Sequence, residues 1–376
     1  MPGLLSDIDP DGLLEFSVVF TDRSVNHMSE QFQTVMNEIS TTLKRVYNAA
    51  SVAIVPGGGT FGMEAVARQF ATGQKCLVIR NGFFSFRWTQ ILDAGAIAAD
   101  HIVLKASRTK SASNAPFAPK NVDEVCATIK KEQPKVVFAP HVETSAGILL
   151  PDDYIRAVAD ATHEVGGLFV LDCIASGALW VDMQDTGVDL LISAPQKGWS
   201  ASPCSALIMM SERARTAIDS TASSSFAADL KKWLQIMETY ESGGHAHHAT
   251  MPTDALIKFR DTMRETETYG FEKLRDQQIE LGTRVRKLLT DRGIQSVAAD
   301  GFQAPGVVVS YTNNSNIQTG NAFSEVGLQI AAGVPLQCDE GEDFKSFRLG
   351  LFGLEKLYNV DRTVETLAEA LNKVYQ

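Results

Sequence analysis

The chain has 376 residues, of which 44% are hydrophobic and 21% charged, the proportions of an ordinary globular protein with length enough for two domains and an extensive core. Its formal net charge of −11 argues against a nucleic-acid binder, which needs a basic surface to offset phosphates. Five scattered cysteines without a CxxC pair argue against a disulfide framework or a zinc site and fit reduced thiols in a cytoplasmic protein, and neither a basic-then-apolar leader nor an apolar run of about 18 residues occurs, so no export signal and no membrane span are expected.

In chain order, short apolar runs at 52–55, 76–79, 102–104, 136–139, 167–171, 188–192 and 206–210 read as strands. They are rich in β-branched residues and do not alternate, as strands buried on both faces do. Helical patterns lie between them, for example Met63, Val66, Ala67 and Phe70 at i, i+3, i+4, i+7, and the stripe begun by Tyr154, Val158 and Ala161. Strand–helix alternation of this kind predicts an α/β fold with a mostly parallel sheet between helices. Beyond residue 250 the texture changes. A long helical region over 253–292, with Gly270 as a break, leads to a strand at 306–311, a helix near 321–331, a strand near 346–352 and a last helix near 361–374. The expected organisation is an N-terminal arm and large domain over 1–255, then a bridging helix and smaller α+β domain over 256–376.

Several polar groups fall at the carboxyl ends of these strands, where parallel α/β sheets bind ligands. After the strand at 52–55 comes Gly57-Gly58-Gly59-Thr60, a turn whose free N–H groups and following helix start suit a phosphate, although an ordinary βα turn reads the same. After 136–139 comes His141-Val142-Glu143-Thr144-Ser145. Asp172 follows 167–171, and a carboxylate there calls for a cationic partner, a helix cap or a salt bridge. Lys197 follows 188–192 among small and apolar neighbours, where desolvation lowers an amine's pKa and makes it a nucleophile. Arg348 stands inside an apolar strand and suits a carboxylate through paired hydrogen bonds. His245, His247 and His248 lack the HxxxH spacing and a nearby carboxylate or thiol, so a metal is not expected there. A phosphate cradle, an acid and a lysine at one sheet edge match the needs of pyridoxal phosphate.

With these motifs in order, the chain resembles the class V aminotransferases of fold type I, specifically the alanine–glyoxylate and serine–pyruvate aminotransferase group, over residues 20–376. The segment GGGTFGMEA resembles the family's phosphate turn, which implies that Gly58, Gly59 and Thr60 cup the phosphate. NGFFSFRW implies Phe84 as the residue stacked on the cofactor ring, and HVETSAG implies Thr144 beside it. LDCIASG implies Asp172 as partner of the ring nitrogen and Ile174 on the face opposite Phe84. APQKGW implies Gln196 near the phosphate and Lys197 as the Schiff-base lysine, and FRLGLFG implies Arg348 as the group that binds the substrate carboxylate. The loop HHATMP stands where relatives carry a YHHT-type loop that reaches the neighbouring subunit's phosphate; Thr250 keeps its place and His247 replaces a tyrosine. His27, Met28 and Ser29 stand where relatives have a GHRS-like element.

The resemblance implies a transaminase working on a small amino acid and a 2-oxo acid such as glyoxylate or pyruvate, as a homodimer with shared sites. A lyase or desulfurase using Cys338, or an aminoethylphosphonate-type transaminase with Arg23 as an extra cation, are the alternatives on the same scaffold.

Overall fold

The computed structural model describes residues 7–375; the first six residues, at the start of the expected N-terminal arm, and Gln376 lie outside it. Its centre is a seven-stranded sheet of β1 (Ser51–Pro56), β2 (Lys75–Arg80), β3 (Asp100–Lys105), β4 (Val136–Pro140), β5 (Leu168–Asp172), β6 (Leu190–Ser193) and β7 (Ser205–Met210), in the spatial order β1-β7-β6-β5-β4-β2-β3. The strands expected from apolar runs therefore all form. Pairs from β3 through β6 are parallel, whereas β7 runs antiparallel to both β6 and β1. The reason is the connection. Only residues 194–204 join β6 to β7, without a helix, and a parallel return needs a crossover of a dozen residues or more. Because β7 reverses direction twice over, β1 points the same way as β6. The carboxyl ends of β1, β2, β4, β5 and β6 thus open on a single edge.

Helices cover the sheet. α1 (Glu30–Tyr47) starts where the Ser29 hydroxyl accepts from Phe32 N and ends at Asn48 in the left-handed conformation, with Phe32, Val35, Met36, Ile39 and Leu43 buried along one face. α2 (Gly59–Val66), α3 (Phe83–Ala94), α4 (Val122–Glu132), α5 (Asp152–Glu164) and α6 (Leu230–Glu241) follow between and after the strands. α7 (Thr253–Tyr269) and α8 (Phe271–Thr290) meet at Gly270, whose φ of 106° is open to glycine and ends the first helix. Leu256, Phe259 and Met263 of α7 bury into the core around the seven-stranded sheet, whereas Leu274, Leu281 and Val285 of α8 belong to a second core. The change of packing partner comes at Gly270, fifteen residues past the expected boundary at 255.

The second core lies on a three-stranded antiparallel sheet of β8 (Val307–Tyr311), β9 (Ala331–Ala332) and β10 (Ser346–Gly350), closed by α9 (Val360–Val374). The helix expected near 321–331 is corrected here: helix covers only Asn321–Ser324, and the chain turns at Gly327, with φ 85°, into β9. A third apolar cluster, including Phe117, Val142, Ile148, Val307, Val309 and Cys338, presses this sheet against the carboxyl edge of the large one. Among the described residues no helix is long and apolar enough to cross a membrane.

Candidate active site

The edge where the strands end collects most of the residues singled out above. Asp172 closes β5, opposite Ile192 on β6 and Pro140 on β4. It is 8% exposed, and one backbone donor, Ile174 N at 2.9 Å, reaches its Oδ1. Burial pushes its carboxyl up to about 6, against the opposing pull of that N–H and of Lys197. Lys197 sits on the 194–204 connection, its Nζ 5.9 Å from the Phe352 ring centroid. Desolvation holds its amine below the ordinary lysine range, and the charges of Arg348 and Arg87 push the same way against the pull of Asp172. The two loops that carry this pair touch at their glycines: a Cβ on Gly198 would lie 2.2 Å from the carbonyl oxygen of Gly177.

The glycine turn after β1 is built for close approach. A Cβ on Gly59 would lie 2.3 Å from Ile174 Cδ1, so the turn and the loop after Asp172 interlock only without a side chain there, while at Gly58 the same position is open. Thr60 opens α2 and accepts a hydrogen bond from Arg87 Nη1 at 2.9 Å. Phe84, in the first turn of α3, lies under two guanidiniums: Cζ of Arg87 is 5.2 Å and Cζ of Arg348 5.4 Å from its ring centroid. Arg348 reaches the site from β10 and fixes its Nε on Ala332 O at 2.7 Å. Gln196, beside Lys197, has a buried Oε1 without a hydrogen-bond partner among the described residues. Thr144 is buried in the segment after β4.

The buried Asp172 with one donor and the gap at Gly58 fit a ligand with a cationic ring atom and an anionic tail. An acid whose charged form is disfavoured by burial is completed by a cationic N–H. A turn of glycines beside Thr60, at the start of α2, receives an anion.

Two residues of the arrangement have roles that the motifs containing them do not assign. Glu143 is fully buried, and its carboxylate accepts from Phe84 N, Ser85 N, Ser85 Oγ, Ser145 N and Ser145 Oγ at 2.6–3.1 Å. It thereby caps α3 and fixes the backbone of Phe84, and it requires glycine at 82, where a Cβ would meet the Ser145 hydroxyl. Arg87 is the second; it lies within NGFFSFRW, about one helical turn after Phe84. His141 is buried with Nδ1 2.7 Å from Ser176 Oγ, and burial pushes its pKa down to about 4, so it is neutral.

His247 and Thr250 are not brought into this group. Both are exposed on the loop between α6 and α7, and the His247 ring lies 5.3 Å from His27, which is buried among Phe20, His245 and His247. Ser29, in the GHRS-like element, serves as the N-cap of α1. Arg23 is exposed. Cys338 is 4% exposed, and burial, with Glu143 and Glu340, pushes its thiol up to about 12. No group of three metal-ligating side chains occurs among the described residues.

Comparison with known proteins identifies the family. Residues 15–334 match the family model for aminotransferase class-V. Alanine–glyoxylate aminotransferase of Oryctolagus cuniculus is 26% identical over 364 residues, 94% of this chain and 88% of the relative. L-aspartate–glyoxylate aminotransferase of Paracoccus denitrificans is 27% identical over 199 residues, covering 52% of this chain and 48% of that protein. The crystal structure of alanine–glyoxylate aminotransferase from Nostoc sp. superposes with a TM-score of 0.79 at 23% identity, covering 94% of this chain and 89% of that one, and so shares the fold. With the family model spanning most of its length, the chain belongs to the class-V aminotransferases.

Proposed function

We propose that the protein is a pyridoxal-phosphate-dependent transaminase that moves an amino group from a small amino acid to a 2-oxo acid such as glyoxylate or pyruvate. One observation carries the proposal: a buried carboxylate with a single donor among the described residues, Asp172, ends one strand, and a desolvated lysine, Lys197, lies on the connection after the adjacent strand, with a side-chain-free turn beside them.

In this reading Lys197 holds the cofactor through its amine, Asp172 pairs with the ring nitrogen, and Phe84 and Ile174 flank the ring, with Thr144 at its edge. Gly58, Gly59, Thr60 and Gln196 receive the phosphate. When bound, the cofactor supplies an aldehyde and an electron-withdrawing ring that accepts charge from the substrate's Cα. Arg348 binds the substrate α-carboxylate through two N–H groups and so aims the Cα–H bond at Lys197. Lys197 Nζ takes that proton; its lowered pKa raises the share of neutral amine available at neutral pH. The negative charge of Asp172, costly to bury alone, is stabilised by the cation it faces. Glu143 holds the Phe84 backbone still and takes no part in proton transfer, its oxygens being occupied by five donors.

The partner is a second copy of the chain, whose His247 and Thr250 complete the phosphate pocket; their exposure on the loop after α6 supports this. The large domain spans 1–255 and the bridging helix with the smaller domain 256–376, and the change of core at Gly270, within that bridging region, supports two domains. A cytoplasmic location fits the unpaired cysteines. The buried, high-pKa thiol of Cys338 speaks against a desulfurase, whose nucleophile has to be an accessible thiolate.

The test is spectroscopic. Pyridoxal phosphate bound to the purified protein absorbs near the imine band, and amino acids added one at a time bleach it when they are donors. Borohydride reduction followed by peptide mapping should place the pyridoxyl group on Lys197; finding it on another lysine, or nowhere, overturns the proposal.

A further inference from the structure

Arg87 is unused by the function proposed above, yet it reaches the centre of the site. We infer that Arg87 is a ligand of the anion in the glycine turn, its guanidinium holding the cofactor phosphate beside Thr60. This rests on reading the site as one for pyridoxal phosphate.

The first support is position. Arg87 Nη1 donates to Thr60 Oγ1 at 2.9 Å, and its Cζ is 5.2 Å from the Phe84 ring centroid, so the guanidinium is held between the turn and the ring flank. One N–H is used on a neutral hydroxyl, which leaves further donors of the planar fork free for an anion. The second is pairing. The chain has 45 acidic against 34 basic side chains, so a guanidinium could readily find a carboxylate. Among the described residues Arg87 pairs with none.

The third is charge. The groups of this chain assigned to the phosphate, namely Gly58, Gly59, Thr60 and Gln196, are neutral. A phosphate monoester carries about −1.5 to −2 near pH 7. Of the three cations that act on the Asp172 and Lys197 pair, Lys197 is committed to the opposite end of the cofactor and Arg348 to the substrate carboxylate. The carboxylates Asp172 and Glu143 add two negative charges. Without Arg87 the groups assigned to the phosphate carry no positive charge, and a dianion drawn out of water is costly unless paired.

The full-length chain, freed of cofactor by dialysis, tests this. Dissociation constants for pyridoxal phosphate and for pyridoxal, which lacks the phosphate, are read from tryptophan fluorescence and cofactor absorbance for the wild type, Arg87→Gln and Arg87→Lys. Losing a charge-assisted contact should weaken pyridoxal phosphate about tenfold or more in Arg87→Gln, with Arg87→Lys between, while pyridoxal binds all three alike. Inorganic phosphate should raise the thermal midpoint of the cofactor-free wild type and not that of Arg87→Gln. Equal midpoints without phosphate show that both variants fold, and the lysine variant serves if the glutamine variant does not.

Unchanged affinity for pyridoxal phosphate in Arg87→Gln overturns the inference, as does an equal loss for pyridoxal. So does a defect confined to the KM of dicarboxylate donors, which would make Arg87 a substrate group. A wild-type chain that binds pyridoxal and its phosphate ester at no concentration overturns the functional reading together with this one.

Discussion

Two buried aspartates stand at opposite edges of the same sheet and are treated in opposite ways. Asp189, just before β6 at the amino edge, is 1% exposed and shares its carboxylate among His163 Nε2 at 2.8 Å, Phe169 N at 2.9 Å and Ser211 Oγ at 3.0 Å. Asp172, at the carboxyl edge, is 8% exposed with one backbone donor. Burial costs both carboxylates their water. The first recovers it from neighbours within the fold and ties α5, β5, β6 and the start of the Ser211 turn together. The second recovers little, and burial lifts its pKa to about 6. Equal burial with unequal satisfaction separates a structural acid from one waiting for a ligand.

The largest effect that bears on this contrast is at the carboxyl edge. Lys197→Ala should lower kcat/KM by at least about a thousandfold for every donor in a panel, because both the covalent anchor and the proton acceptor go; a variant with wild-type turnover breaks the contrast outright. Asp189→Ala should act on stability, leaving Phe169 N, Ser211 Oγ and His163 without their acceptor at a cost of about 2–4 kcal/mol in denaturant melts. The surviving folded fraction should keep the wild-type KM.

Asp172→Asn should go the other way in cofactor-free protein. The folded carboxyl titrates near 6 and the unfolded one near 3.8. The folded state thus binds the extra proton between those values, and wild-type stability falls as pH rises through that window. Above pH 6 the asparagine variant should be more stable than the wild type by ~2–3 kcal/mol, and the gap should close towards pH 4. A gap that widens on acidification contradicts the assignment of Asp172 as the strained member of the pair.

Glu143 refines the comparison, since it is buried at the ligand edge yet fully satisfied. Glu143→Gln turns one acceptor oxygen into a donor facing N–H and O–H groups. It should cost about 1–3 kcal/mol and loosen Phe84, seen as weaker cofactor binding with the absorption maximum little moved. Smaller still is Arg348→Lys, which keeps the charge and loses the two-pronged geometry: KM for the amino donor should rise about tenfold with kcat less affected.

What the sequence reveals and what it hides divide along the same line. The apolar runs that end at Asp172 and Lys197 are local patterns, and their strands form where those runs stand. Glu143 and Arg87 acquire their roles from partners 58–59 and 27 residues away, which no local pattern displays. The exception among local signals is the stretch near 321–331, whose apolar spacing suits a helix but whose glycines at 320 and 327 take positive φ and turn the chain instead. The helix Glu30–Tyr47, with its serine cap and apolar stripe, shows the reverse: a strong local signal in a region outside the strand–helix alternation.

The contact between Gly177 and Gly198 bears on how such a protein could diverge. It acts as a spacer of zero thickness between the loop that follows the acid and the loop that bears the lysine. A single methyl group at 198 would wedge them apart against main chain that has nowhere to retreat, altering the acid-to-amine gap while every chemical group stays in place. Reactivity in this scaffold is therefore adjustable from a position that carries no functional group at all.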